Sequence, residues 1–243
     1  MKGTTAGKGL RVQMLVLGVA ALALRKMLYA TAVDVKGLLL RNQPLEIALT
    51  VLTLGVLIRI ALVVRKMEGT DPCESMDSTN LAAAFGNVAA GAGILATVLT
   101  AESGMVGYLA NAWRILGFGA PVCLLLAGGA RLFGRKPFFL LHAVPCLFFL
   151  VHIVTRYQFW SSNPQLQDYV FALLGAMGLL FFSYYTAARE ADCGSRKMRL
   201  GMGLAAIYLC LGELARSSCP VLYLGGILWV LTDLDSSETT KKK

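Results

Sequence analysis

Eight long apolar runs follow one another along this chain, separated by short connections of which the longest spans Arg65 to Asn80. That pattern limits the fold more than any motif does. A bilayer core about 30 Å thick is crossed by roughly 20 apolar residues in a helix. Only helices and closed barrels satisfy every backbone polar group in hydrocarbon. The runs are far longer than barrel strands and do not alternate apolar with polar. The expected fold is therefore all-α: a polytopic transmembrane bundle of about eight helices. Composition agrees, since 56% of the residues are hydrophobic and 15% charged, whereas soluble domains carry about 25% charged residues. Such a chain has too few polar side chains to cover a water-facing surface.

The predicted helices are 11–33, 45–64, 81–100, 106–130, 138–155, 166–188, 200–215 and 219–232. They form one transmembrane domain, with a polar tail at 233–243. Placing the N-terminus inside puts fifteen of the 23 basic residues in cytoplasmic segments and four outside. This follows the positive-inside rule, so both termini are expected in the cytoplasm of a multi-pass plasma-membrane protein. The net charge of +9 is then a topology signal rather than a nucleic-acid footprint. The inner basic clusters are expected to meet anionic lipids.

Local chemistry fits these boundaries. "MDSTN" supplies N-cap residues before Leu81, and "SSNPQLQD" pairs Asn163 with Pro164 at a helix start. Arg25 and Lys26 interrupt the first run. The "YATAV" beyond them resembles a signal-peptidase site, but signal peptides carry charge before the apolar stretch, so retention is expected. The last two helices are short, 16 and 14 residues, or about 24 and 21 Å, and are read as crossing a thinned bilayer around "ARSSCP".

Of the six cysteines, Cys123, Cys146 and Cys210 lie in apolar runs, where cysteine acts as a small hydrophobe. Cys73 and Cys193 lie in loops, and there is no CxxC, so neither a disulfide framework nor a zinc site is expected. His142 and His152 share one helix about 15 Å apart and cannot chelate one metal. The chain has no HExxH, GxSxG, Walker A or Gly-rich dinucleotide motif. No catalytic, cofactor or metal residue is assigned, and the absence of these motifs speaks against an enzyme.

One stretch concentrates possible function. "AWRILGFGAP" sets Arg114 beside Gly117, Gly119 and Pro121. With a helix starting at Val106, Arg114 lies about 12 Å deep, where an arginine needs a partner. Pro121 cannot donate to Gly117, so a kink or break is expected, and broken helices beside charge build transporter sites. If instead Ile115 to Ala130 alone crosses, Arg114 is a headgroup anchor. Glu213 is the best counter-charge for a buried Arg114, or else a local partner of Arg216. Asp34 and Lys36 could join an outer polar cluster. In "LAAAFGNVAAGAGILA", small residues recur every four positions around Asn87, which marks a helix-packing face or a dimerisation face.

"DVKGLL", "YQFWSSNPQLQDYVF" and "LWVLTDL" together resemble a group of bacterial multi-pass membrane proteins of similar length, to which no activity is assigned. That resemblance implies architecture alone. The favoured expectation is a protein that binds or moves a small solute at a polar site of Arg114, Glu213, Gly117, Gly119, Pro121 and Asn87. The alternative is a non-catalytic membrane partner or sensor, associating with itself or another subunit through small-residue faces.

Overall fold

The computed structural model describes residues 2–31, 43–66, 80–100, 108–160 and 169–239. Among these residues there are eight helices: α1 (Lys2–Thr31), α2 (Pro44–Lys66), α3 (Leu81–Thr100), α4 (Tyr108–Leu132), α5 (Leu140–Trp160), α6 (Val170–Glu190), α7 (Arg196–Glu213) and α8 (Pro220–Thr239). The loop carrying Asp34 and Lys36, the Asn163–Pro164 cap and Cys73 lie outside the described residues. The third helix starts as its sequence demands: Asn80 Oδ1 accepts from the Ala83 N–H at 3.1 Å, which satisfies one orphan donor of the first turn.

Helices α3 to α8 form a closed ring. Each packs against its successor, and α8 returns to pack along α3. Large apolar side chains fill the interior, among them Ile94, Trp113, Leu124, Phe148, Leu179, Phe182 and Trp229. Helices α1 and α2 stand outside the ring against α7, with a second core of Met14, Ala21, Val56, Ile60, Leu204 and Tyr208. Helix α7 thus serves both cores and is buried along most of its length.

Glycine and alanine set the closest approaches. A Cβ on Gly93 of α3 would lie 2.7 Å from the Val221 carbonyl oxygen of α8, and one on Gly225 of α8 would lie 2.5 Å from the Ala89 carbonyl oxygen. The small-residue face of α3 is therefore spent on α8 and α4 within the chain. Six helices, α1 to α6, are long and apolar enough to cross a membrane. The other two, α7 and α8, carry the charges described below; α7 is buried along most of its length, whereas α8 exposes an apolar stripe of Val221, Leu224 and Leu228.

Three predicted boundaries are corrected. Helix α4 runs unbroken through Pro121, because Gly117 and Pro121 lie flat against neighbours: Gly117 against Val98 and Phe148, Pro121 against Gly91. The last two helices have 18 and 20 residues rather than 16 and 14. The predicted tail from 233 is helical to Thr239, because Asp233, which looks like a helix exit in the sequence, is fully buried and paired. An ion pair of 3.1 Å between Arg11 and Asp235 sets the first part of α1 beside the end of α8.

Candidate functional site

Two groups of buried charge stand at opposite ends of the bundle. The larger, at the end where α4, α6 and α8 finish, draws one or more polar side chains from each helix of the ring. Asp233 of α8 is its hub. One carboxylate oxygen accepts from Arg131 of α4, and the other from Arg199 of α7 at 2.6 Å. Arg131 reaches on to Glu190 of α6 at 3.4 Å. The second oxygen of Glu190 meets His142 Nδ1 of α5 at 2.7 Å, and His142 Nε2 lies 3.3 Å from Asn87 Oδ1 of α3. The His142 ring stacks on Trp229, with centroids 5.8 Å apart and planes within 10°.

The placement follows from helix geometry. Trp229 and Asp233 are four residues apart, so they share one face of α8, and the α3 face opposite is small enough to admit them. Pro145, one turn beyond His142, cannot complete the α5 hydrogen-bond ladder, and in that turn Ser183 of α6 donates to the His142 carbonyl at 2.7 Å. Arg131, Arg199, Asp233, His142 and Asn87 are each no more than 3% exposed, and Glu190 is 5% exposed. Fixed charges balance: two guanidinium groups face two carboxylates.

The second group joins the outlying lobe to the ring. Arg25 of α1 donates to Glu213 at 2.6 Å and to the Gly212 carbonyl at 3.0 Å. Its guanidinium also lies over Phe171, 4.9 Å from the ring centroid. A separate polar contact lies between α4 and α5, where Trp113 Nε1 donates to His152 Nδ1 at 3.1 Å.

The sequence-derived site is not assembled as expected. Arg114 is exposed, its neighbour Trp113 being the residue that α4 turns inward. Glu213 is buried against Arg25 rather than Arg114. Gly117, Gly119 and Pro121 are packing positions on a continuous helix, and Asn87 belongs to the Asp233 network at the other end of the bundle. Among the described residues no group of three or more His, Cys, Asp or Glu is placed to hold a metal ion, and five described cysteines are free thiols.

Arg131, Glu190, Arg199 and Asp233 were missed for one reason. Each sits at the end of an apolar run, where charge normally marks the interface. The available signal was Asp233 and Glu190, acids at the same predicted end as Arg131 and Arg199, since charge near hydrocarbon seeks a partner.

Fold and site together define the class: a polytopic α-helical membrane protein with an ion network inside its bundle. No protein-family model, curated protein or solved structure matches the chain.

Proposed function

We propose that this protein binds or moves a small polar solute across the plasma membrane, at the Asp233 network rather than around Arg114. One observation carries the reading: five ionisable side chains from five helices, all within the bundle and nearly all fully buried. Such an arrangement is expensive, because desolvating ions costs several kcal/mol each and well-packed apolar residues are often at least as stable. Ionisable groups inside a membrane bundle mark solute or proton pathways by default. The abundance of Lys and Arg in the connections at this end supports a cytoplasmic placement for it and for both termini, where basic clusters would meet anionic lipid. The alternative role as a lateral partner or sensor subunit loses its main support, because the α3 small-residue face is covered by α4 and α8.

Cysteine accessibility tests the proposal. In a background without the six native cysteines, Ser183→Cys places a thiol of nearly the same size beside His142. A small charged methanethiosulfonate reagent is expected to modify it from the cytoplasmic side in inside-out vesicles, whereas Arg114→Cys is reached from the opposite side. A position-183 thiol that reacts from neither side would make the network a sealed structural core and end the solute reading.

A further inference from the structure

The network's hydrogen bonding is lopsided. All four carboxylate oxygens of Asp233 and Glu190 are engaged, by Arg131, Arg199 and His142. Four buried N–H donors in the same network find no acceptor among the described residues: Asn87 Nδ2, Trp229 Nε1, Arg131 Nε and Arg199 Nε. A buried donor without an acceptor carries its full desolvation penalty, and such groups are rare in folded proteins. Here all four belong to residues of one connected network, on four helices.

We propose that the network is a binding site for a small oxyanion, a carboxylate or a phosphate, held by Asn87 Nδ2, Trp229 Nε1 and the Nε edges of Arg131 and Arg199. The proposal rests on reading the network as a solute site and names the chemistry of its ligand. A metal ion brings no acceptor and an ammonium group only donors, so either would leave all four N–H groups unanswered. An oxyanion brings acceptors with several lone pairs each, and arginine and amide donors bind it strongly. The charge balance agrees. The two arginines and the two acids of the network cancel, so no net negative charge there opposes an anion.

Thermal melting of the intact protein in phosphatidylcholine nanodiscs tests this, with acetate and inorganic phosphate as probes and chloride and choline as matched controls. An oxyanion is expected to raise the melting temperature saturably above both controls. Trp229→Phe, which keeps the stack and removes one donor, and Asn87→Leu are each expected to weaken the fitted Kd by about tenfold. A rise seen only with phosphatidic acid in the nanodisc would make the bound oxyanion a lipid headgroup rather than a free solute. Stabilisation by choline, or by no oxyanion from either source, would overturn the proposal. Labelling at position 183 separates the failures: a reachable thiol with no oxyanion effect leaves a solute site for another ligand class, whereas an unreachable one ends both readings.

Discussion

At the scale of single residues, Asp233 holds the most consequential position. Its carboxylate is shared by two arginines, and all three side chains are almost fully buried. Asp233→Asn keeps the shape and leaves two guanidinium groups facing one another without their common counter-charge. Removing one partner of a buried pair costs about 3–5 kcal/mol, and a fall in melting temperature of the purified protein should report it. Glu213→Gln is expected to be milder, because Arg25 keeps the Gly212 carbonyl and the Phe171 face. A loss of about 1–3 kcal/mol in the same melt, with labelling at position 183 unchanged, would separate the two groups. Arg114→Ala should change stability by less than about 0.5 kcal/mol, since its side chain touches no partner among the described residues.

Helices tell more about what was readable. The eight apolar runs led directly to eight helices, because lipid solvation demands long unbroken apolar segments and a sequence displays them openly. Asn80 as a cap and the small-residue face of α3 were legible for similarly local reasons. The site was not. A glycine–proline pair beside an arginine looks like a broken helix, yet Gly117 and Pro121 serve close packing. Which way Arg114 turns depends on the rotation of α4, which its neighbours decide. Arg131 and Arg199 resembled ordinary interface charges, and only the return of α8 into the ring brings Asp233 between them. Glycine positions offer a clean test of the helix-packing account. Gly225→Ala puts a methyl group against the Ala89 carbonyl and should cost about 1–3 kcal/mol through overpacking. Gly55→Ala on α2, where nothing lies within 4 Å, should be neutral or slightly stabilising. Equal effects at both positions, read by thermal melting, would contradict the packing described between α3 and α8.

Taken whole, the molecule is a six-helix ring with a two-helix lobe attached through α7. The Arg11–Asp235 pair sets the first part of α1 and the end of α8 at one end of the bundle, as an even number of crossings requires. Reporter fusions at the two termini are therefore expected to respond alike, both as cytoplasmic, and a split result would break the topology. The lobe and ring are joined by the Arg25–Glu213 contact and by the apolar core of α1, α2 and α7.

Because α8 follows α4 and α7 in the chain, Arg131 and Arg199 are synthesised before Asp233, the acid they share. Until α8 emerges, Arg199 lacks that carboxylate and Arg131 has only Glu190. Insertion of α8 is thus a step of charge neutralisation as well as of packing, and a chain stalled short of it is expected to hold a guanidinium without its counter-ion at the edge of hydrocarbon.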